Sequence, residues 1–590
     1  MTFESMPARM LKRAQERPQA PAYHVRKGGQ WIATSWKDYV DEVRTLARAL
    51  MSTGFQPGDT VCILGFNRPE WTIADMACMA AGGAPAGIYT TNSPQEVQYI
   101  TNHCEASVIF LENEAQWQKV NAVRDQLPHL RHAVLFTDAP AISDPLVSSW
   151  TDFLGRARQV SESDLDARIN NLKPEDLATL IYTSGTTGPP KGVMLSHNNL
   201  SWTADAALQM VSGTADDCVL SYLPLSHIAE QMFTVHGSSA AGYAVYYAES
   251  IDAVPDNLKE VQPTIFFGVP RIWEKFHAGI TAKLQDASPV KKKLVSWAMG
   301  VGQRANAYRC RGEEPPGMLG VQYRLANKLI YSKLKPAVGL GRAKVCVSGA
   351  APIAPDVIEF FLGLDILVHE VYGQSEDCGP TTFNQPGKTR IGTVGPPVPG
   401  VDVRIADDGE VIVKGPNVFM GYYKDEKATA ETLIDGWLHS GDLGAFDGEF
   451  LKITGRKKEI IITAGGKNIA PKNIEAALKR HDLINEAVVI GDRRKYLSAL
   501  VTLDPDGAQA WATRLGVGVD QVHEHADLLA ELQRHVDTIN AEFAQVEQVK
   551  KFRVLPRNLT VEHGELTPTL KVKRRIVYDH FAEDIEAMYG

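Results

Sequence analysis

Short apolar runs alternate with longer helical patterns through the first three quarters of the chain. The runs have the length and the Val, Ile and Phe content of buried strands, and they read TVCILGF, ASVIFLE, HAVLFTD, CVLSYLPL, PTIFFGVP, AKVCVSG and ILVHEVYG. Repeated alternation of buried strands with helices predicts a layered α/β protein.

The pattern changes near residue 400. The segment VDVRIADDGEVIVKG contains two alternating strands joined by Asp-Asp-Gly, which predicts a hairpin. A compact sequence begins near residue 455: a strand in EIIIT, a Gly-Gly turn, a helix that opens near Pro471, and strands in EAVVIG and LSALVTLD. We therefore predict a domain boundary between Gly455 and Lys457.

Length and charge narrow the class of protein. The chain has 590 residues, 44% of them hydrophobic, and single cores stop growing at roughly 250 to 300 residues, so at least two domains are expected. The formal net charge is -9, and basic residues collect only in short clusters such as KVKRR at 571–575. This balance argues against nucleic acid as a partner.

Location is indicated by what the sequence lacks. The opening MTFESMPARMLKRAQERP has no apolar signal region, and the most apolar window, MACMAAGGAPAGIY, is well under the roughly 20 residues of a spanning helix. Seven scattered cysteines without a Cys-x-x-Cys pair suit a reducing compartment and argue against structural zinc. We expect a cytoplasmic protein, with peripheral contact at the inner face of the membrane as an open alternative.

The segment YTSGTTGPPKGVMLSH, residues 182–197, follows the apolar run LATLI. Glycines allow successive backbone amides to turn toward an anion, hydroxyls add donors, and Lys191 can place a charge on a terminal phosphate. A Walker P-loop is excluded, because Lys191 is followed by Gly192 and a strand-like VMLS instead of Ser or Thr on a helix. The segment is interpreted as a triphosphate cradle, and an ordinary polar loop is the alternative.

YTSGTTGPPKGV resembles the signature of the adenylate-forming superfamily, which includes acyl-CoA synthetases, firefly luciferase and peptide-synthetase adenylation domains. The resemblance covers nearly the whole chain. It implies a large N-terminal domain, residues 1–455, of layered α/β subdomains with a β-barrel-like portion, and a small mobile α+β domain, residues 456–590, with a hinge at Lys457. The nucleotide-binding residues that it implies in this segment are Thr183, Ser184, Gly185, Thr186, Thr187, Gly188 and Lys191, and Thr183 is also given a catalytic role.

Further motifs follow in the superfamily's order. SGAAP resembles the adenine-binding loop, and VYGQSE resembles the segment whose tyrosine stacks on adenine and whose glutamate, Glu376, holds magnesium. WLHSGDLG supplies Asp442 for the ribose, and ITGRKKEIIITAGGKNIAPKNIE supplies Arg456 and a glycine loop that would face the pantetheine arm of coenzyme A. The binding residues implied by these motifs are Ser348, Gly349, Ala350, Ala351, Pro352, Tyr372, Gly373, Gln374, Ser375, Asp442, Arg456, Gly465 and Gly466.

Three of these residues have a plain structural alternative. Tyr372 can be a core aromatic, although a flat ring beside Gly373 suits base stacking. Glu376 can be a surface acid, although Mg²⁺ takes carboxylate and phosphate oxygens together. Asp442 can cap a turn, although a carboxylate that accepts from two ribose hydroxyls is the chemistry of dinucleotide sites. Their positions in the motifs favour the binding roles.

Two catalytic candidates lie outside these motifs. His227 in LPLSHIAE is a satisfied structural histidine on its own, and the resemblance moves it toward the acyl and phosphate pocket. GELTPTLKVKRR offers Lys571 as the lysine that bridges substrate carboxylate and ATP, with a solvated basic cluster as the alternative. The superfamily usually has glycine before this lysine, whereas this chain has Leu570. Similarity to long-chain enzymes assigns Lys571 over Lys573.

The predicted reaction is ATP-dependent activation of a fatty acid to acyl-AMP, followed by transfer to coenzyme A. The resemblance implies ATP, Mg²⁺ and coenzyme A as co-substrates or cofactor, and FFGVPRIWEKF, residues 266–276, resembles a long-chain segment that would wall the acyl pocket, with an ordinary buried strand as the alternative. Ligation of a fatty or aromatic acid to a carrier-protein phosphopantetheine is one alternative, and a noncatalytic adenylate-binding regulatory protein is another. Chain-length preference and oligomeric state are left open.

Overall fold

The computed structural model describes residues 4–183, 189–465, 467–567 and 570–590. An eight-stranded sheet forms the first layer. Its central strands are parallel and buried on both faces, as expected for strands between helix layers. In spatial order its strands are Gly421–Tyr422, Lys191–Ser196, Leu177–Thr183, Ala84–Ile88, Thr60–Leu64, Val108–Leu111, His132–Leu135 and Val147–Ser149.

Two four-stranded sheets lie beside it. The first contains Cys218–Ser221, Ala244–Tyr247, Pro21–Lys27 and Gln30–Ser35 in that order. The second contains Ile265–Gly268, Val345–Ser348, Val368–Tyr372 and Thr382–Phe383, with its first three strands parallel. The strands predicted from the apolar runs are therefore confirmed, and the glycine-rich and SGAAP segments directly follow two of them.

The portion expected to be barrel-like is a five-stranded antiparallel sheet. Its strands are Asp402–Ile405, Glu410–Lys414, Trp437–Asp447, Leu433–Ile434 and Phe450–Arg456, and the last pairs with Trp437–Asp447. The predicted hairpin is confirmed: the first two strands pair in antiparallel register, and Gly409 in the turn has φ +86°.

The helices of the large domain surround these sheets. They are Met6–Glu16, Trp36–Ser52, Pro69–Ala80, Pro94–His103, Glu114–Asn121, Trp150–Gly155, Glu162–Asn170, His197–Val211, Ile228–Gln231, Gly237–Ala241, Val254–Val261, Pro270–Gln285, Pro289–Arg309, Gly317–Ala326, Ser332–Ala337, Pro355–Gly363 and Glu426–Thr432. Serine side chains cap several of them, for example Ser35, Ser93 and Ser196. Across the described residues, no helix is both long enough and apolar enough to cross a membrane.

The C-terminal part has a separate core. Its three-stranded sheet contains Ile484–Ile490, Leu497–Leu503 and Val549–Val554, and a short hairpin joins Ile461–Ile462 to Asn468–Ile469. Its helices are Pro471–Leu478, Pro505–Leu515, Ala526–Asn540, Arg574–His580 and Ala582–Tyr589. The buried clusters here draw only on residues from Ile461 onward, whereas those of the large domain end at Leu451. A large N-terminal and a small C-terminal domain, as predicted, follow from this division.

Candidate active site

The glycine-rich segment connects two antiparallel strands. Thr183 ends one strand and lies opposite Lys191, which begins the next. Ser184, Gly185, Thr186, Thr187 and Gly188 lie outside the described residues. The ladder thus fixes both ends of the segment and places the Lys191 side chain beside the point where the loop begins.

Lys191 and Glu376 meet through a tyrosine that the sequence motifs do not contain. The Lys191 Nζ atom lies 4.6 Å from the centroid of the Tyr422 ring, and the Tyr422 hydroxyl donates to Glu376 Oε1 at 2.8 Å. Burial and the neighbouring carboxylate raise the pKa of Tyr422, so the phenol stays protonated and remains a donor. The Lys191 cation thus lies over the face of the Tyr422 ring, and the Glu376 carboxylate lies at its hydroxyl.

Three motif residues donate hydrogen bonds to the carboxylate of Asp442. Its Oδ2 atom accepts from the Tyr372 hydroxyl at 2.9 Å and from Gln374 Nε2 at 2.7 Å, and its Oδ1 atom accepts from Arg456 Nε at 2.8 Å. Asp442 and Arg456 face each other across an antiparallel ladder. The structure therefore brings VYGQSE, WLHSGDLG and the start of ITGRKKEIII together around one buried carboxylate.

Close packing explains the glycine in VYGQSE. A Cβ atom on Gly373 would lie 1.4 Å from the carbonyl oxygen of Gly379, so only glycine fits without displacing backbone. The turn is closed by Asp377, whose Oδ1 atom accepts from the Gln374 amide at 2.6 Å. This packing fixes the direction in which Gln374, Ser375 and Glu376 leave the strand.

The SGAAP loop is strained and carries a buried hydroxyl. Ala350 has φ +68°, a conformation that disfavours residues with a side chain. The Oγ atom of Ser348 is buried and has no hydrogen-bond partner within the described part of the chain. A Cβ on Gly349 would lie 2.5 Å from Val371 Cγ1, so this loop packs tightly on the strand that leads to Tyr372. Ala351 and Pro352 complete it.

His227 caps the short helix Ile228–Gln231. Its Nδ1 atom accepts from the amide of Ala229 at 3.2 Å. Burial, and then the positive charge of Lys571, lower the pKa of His227 to about 4. The imidazole is therefore neutral near pH 7, and it lies near the lysine predicted to be catalytic.

Lys571 comes from the small domain to the Asp442 cluster. The turn that carries it is closed by Thr567, whose amide donates to the Lys571 carbonyl at 2.8 Å. Lys571 as a whole residue is exposed to solvent, but neighbouring atoms partly bury its ammonium group. That burial and then the Arg456 guanidinium lower the pKa of Lys571, while Asp442 and Glu376 oppose the shift. The lysine is thus within electrostatic range of both carboxylates.

Leu570, the residue that departs from the superfamily pattern, has φ +59°. This left-handed conformation is the one that glycine adopts without a steric penalty. Leu570 is 65% exposed, so packing of its side chain does little to offset the strain. The leucine therefore occupies a backbone conformation that suits glycine.

The segment predicted to wall the acyl pocket contacts both the core and the small domain. Trp273 is fully buried, and its Nε1 atom donates to the carbonyl of Gly268 at 3.1 Å. Arg271, for which the sequence motifs predict no role, donates through Nη2 to Asn485 Oδ1 at 2.7 Å across the domain interface. Its contact partner lies more than 200 positions away, so no local sequence signal marks it.

The remaining predicted positions are simple to locate. Gly465 lies in the short hairpin of the small domain, where a Cβ atom would meet Thr463 alone among the described residues. Gly466 is outside the described residues. Among the described residues, no group of three or more Asp, Glu, His or Cys side chains could hold a metal. A site with Glu376 as its single protein carboxylate is compatible with Mg²⁺, because Mg²⁺ in nucleotide sites is commonly held by one or two carboxylates together with substrate phosphates.

This fold and site define a two-domain nucleotide-binding enzyme, and the comparison with family models agrees. The AMP-binding enzyme family model matches residues 10–423, and the AMP-binding enzyme C-terminal domain model matches residues 458–590. The chain belongs to the AMP-binding enzyme family.

Curated relatives are similar to this chain over nearly its full length. The long-chain-fatty-acid–CoA ligase ACSBG2 of Xenopus laevis is 40% identical over 601 residues, which cover 96% of this chain and 81% of the relative. The long-chain-fatty-acid–CoA ligase FadD15 of Mycobacterium bovis is 36% identical over 598 residues, which cover 100% and 97%.

Solved structures share the fold. The adenylation domain of a carboxylate reductase from Mycobacterium chelonae aligns with a TM-score of 0.76 at 22% identity, covering 100% of this chain and 92% of that one. ATP-bound MatB from Rhodopseudomonas palustris aligns with a TM-score of 0.71 at 22% identity, covering 98% of each chain. The predicted α/β class with a large N-terminal and a separate C-terminal domain is confirmed.

Proposed function

We propose that this protein is an AMP-forming long-chain fatty acid–CoA ligase. In the first half-reaction, a carboxylate oxygen of the fatty acid attacks the α-phosphorus of ATP, and pyrophosphate leaves with the electrons of the broken P–O bond. In the second, the thiolate of coenzyme A attacks the acyl carbon, and AMP leaves. The names of the relatives that span the whole chain support this substrate class.

The observation that carries the proposal is the approach of Lys571 to the cluster around Asp442. A carboxylate and a triphosphate repel each other, so a cation between them lowers the barrier to attack. Lys571 comes from the small domain, whereas Asp442, Glu376 and Lys191 belong to the large one. Closing the two domains therefore assembles the charges that the first half-reaction requires.

Each remaining residue has a role in binding. Asp442 would accept hydrogen bonds from the ribose hydroxyls. These would replace the hydrogen bonds that Tyr372 and Gln374 donate to it in this structure. Tyr372 and the SGAAP loop would hold the adenine, with Ser348 Oγ as a free donor for a polar atom. Thr183 to Lys191 would hold the phosphates. His227, neutral near pH 7, would line the acyl side.

Mg²⁺ and coenzyme A complete the requirements. Glu376 would hold Mg²⁺, which supplies charge neutralisation on the phosphate oxygens when bound. Coenzyme A would approach when the small domain, residues 456–590, rotates against residues 1–455 about Lys457 and brings Gly465 and Gly466 to the site. The short helical turn Lys457–Glu459 begins where the last strand of the large domain ends, which supports this boundary.

The test is pyrophosphate release over a panel of carboxylic acids, with coenzyme A, with a phosphopantetheinylated carrier protein, or with neither. We expect release that depends on long-chain fatty acids, and acyl thioester only with coenzyme A. If thioester formed only on the carrier protein, the carrier and not coenzyme A would be the acceptor. If ATP bound and no pyrophosphate were released, a noncatalytic regulatory protein would be favoured.

A paired variant separates the role of Lys571 from that of its neighbours. Lys571→Ala should abolish pyrophosphate release and largely spare thioester formation from supplied acyl-adenylate. Lys573→Ala, two positions away in the same basic segment, is the matched control and should retain both. Equal loss of both half-reactions in Lys571→Ala would contradict the assignment.

A further inference from the structure

One helical segment exposes apolar side chains in a regular stripe. Residues 317–337 run through two helices and the π-turn Asn327–Tyr331 that joins them. Met318, Val321, Leu325 and Leu329 are 71%, 49%, 48% and 37% exposed. Their spacing of three to four residues places them on one side of the helix. We call these four residues the apolar stripe.

The other side of the segment is packed. Ala326 and Tyr331 are buried against Ala298 and Val301 of helix Pro289–Arg309, and the Tyr331 hydroxyl donates to the Ala298 carbonyl. The helix therefore has its own core contact, and the apolar stripe is not needed to hold it in place. Four large apolar side chains exposed together on a protein surface indicate a partner.

The charge around the stripe identifies the kind of partner. Residues 289–337 contain ten Lys and Arg and two Glu, a formal charge of +8, although the whole chain carries -9 and the remainder therefore -17. Six of these cations form no ion pair within the described residues and are exposed: Lys291, Lys292, Lys293, Arg324, Lys328 and Lys333. Arg324 and Lys328 lie on the helix directly beside the apolar stripe.

We propose that the apolar stripe and its cations dock on the surface of an anionic lipid bilayer. A helix with an apolar face and a rim of Lys and Arg lies in the plane of a membrane, with its apolar side chains among the acyl chains and its cations at the phosphates. The local charge of +8 is complementary to such a surface, and the acidic remainder of the chain would be held away from it. The segment therefore has the charge and shape of a helix that lies in the membrane surface, and such a helix does not need to be long enough to cross the bilayer.

Docking would also supply the substrate, and this part of the inference rests on the proposed function. Long-chain fatty acids partition into bilayers because each buried methylene is favourable by about 0.8 kcal/mol. The helix that carries the stripe packs on Pro289–Arg309, which in turn packs on Pro355–Gly363 beneath the aromatic side chains around Trp273. An enzyme held at the bilayer by this element would take its acid from the lipid phase.

The experiment is sedimentation of the full chain with vesicles of phosphatidylcholine, with and without a minority of phosphatidylglycerol. The stripe variant combines Met318→Gln, Val321→Gln, Leu325→Gln and Leu329→Gln, which keep good helix formers at exposed positions. The matched control replaces four exposed apolar residues elsewhere by Gln: Ile32, Ile251, Val519 and Val546. A charge variant combines Arg324→Gln, Lys328→Gln and Lys333→Gln. Circular dichroism verifies that each variant is folded.

We expect wild type and control to bind the anionic vesicles, and the stripe and charge variants to bind at least about tenfold more weakly. Binding of wild type should fall as salt is raised. Equal binding of wild type and the stripe variant would overturn the proposal, as would self-association through the stripe without vesicle binding.

A second measurement separates this inference from the proposed function. Acyl-CoA formation is compared for fatty acid delivered in anionic vesicles and on serum albumin. The stripe variant should lose rate several-fold with vesicles and retain it with albumin. Vesicle binding by a wild type that activates no fatty acid would overturn the proposed function alone, whereas equal rates of wild type and stripe variant in both deliveries would overturn docking as a route for substrate.

Discussion

Lys457 donates from Nζ to Glu410 Oε2 at 2.9 Å, across the junction between the two domains. The same nitrogen lies 2.6 Å from Asp408 Oδ2, and these hydrogen bonds raise the pKa of Lys457. Burial alone would raise the pKa of Glu410, but hydrogen bonds from His439 and Lys457 lower it. The residue proposed as the hinge is therefore tied, as a cation, to the strand pair that carries Asp442.

The first prediction is that Lys457→Pro traps the adenylating arrangement. Arg456 has φ -125° and ψ 128°, the extended conformation that a following proline requires, and Lys457 is the first residue of a helical turn, where proline is tolerated. Single-turnover pyrophosphate release on a fatty acid should persist, while thioester formation from isolated acyl-adenylate slows by about 10²-fold or more.

Lys457→Ala is the control for the lost ion pairs. It removes both contacts with Asp408 and Glu410 but leaves the backbone free, so thioester formation should change by less than about tenfold. If Lys457→Pro formed thioester at the wild-type rate, no rotation about this residue would be needed, and the two-state account would fail.

The second prediction concerns the carboxylate assigned to Mg²⁺. Glu376→Gln keeps the shape and removes one anionic ligand, so a higher Mg²⁺ concentration should be needed for half-maximal pyrophosphate release. Tyr422→Phe removes the hydrogen bond to Glu376 Oε1 and leaves the charge, so its Mg²⁺ titration should move much less. Mg²⁺ titrations that coincide for wild type and Glu376→Gln would assign the metal to other residues.

The helices and strands, and the motifs of the candidate site, could be read from the sequence, because both depend on local patterns. Buried strands are short apolar runs, and VYGQSE or SGAAP are contiguous. The contacts that the sequence could not predict depend on how distant strands pair with each other. Tyr422 reaches Glu376 because its two-residue strand pairs with the strand of Lys191, and Glu410 reaches Lys457 because a hairpin lies beside the domain junction. Such pairs are distant in sequence, and no periodicity marks them.

The third prediction concerns Asp75. It lies fully buried on helix Pro69–Ala80, and neither carboxylate oxygen has a hydrogen-bond partner within the described ranges. Burial raises the pKa of Asp75 to about 8, so the folded protein keeps a proton that the unfolded chain, with an ordinary pKa of about 4, releases. This contribution to stability is present below pH about 4 and is lost as the pH rises toward 8.

Asp75→Asn stays uncharged at every pH and removes this dependence. The Tm of the variant minus that of wild type should therefore rise from pH 5 to pH 8, by about 1 to 2 °C per pH unit in scanning calorimetry. Asp407→Asn, at an exposed turn, is the control and should give a flat difference. A flat difference for Asp75→Asn as well would mean that the buried carboxylate is not protonated.

The last prediction concerns the turn that delivers Lys571. Leu570 holds φ +59°, and the strain in this left-handed conformation depends on the side chain: it is absent in glycine, small in asparagine, and largest in a β-branched residue. Leu570→Gly and Leu570→Asn should therefore form acyl-adenylate at least as fast as wild type.

Leu570→Val should be slower by about tenfold, because a further strain of about 1 to 2 kcal/mol opposes the turn that presents the Lys571 ammonium group. Thioester formation from supplied acyl-adenylate should be the same in all four proteins, since Lys571 does not act in that step. Single-turnover measurement of each half-reaction checks this order. The valine variant could also lose activity by general unfolding, but then both half-reactions would fall together and the Tm would drop. A selective loss of the first half-reaction can arise only if the backbone conformation at Leu570 sets the position of Lys571, and equal adenylation rates in Leu570→Gly and Leu570→Val would contradict that link.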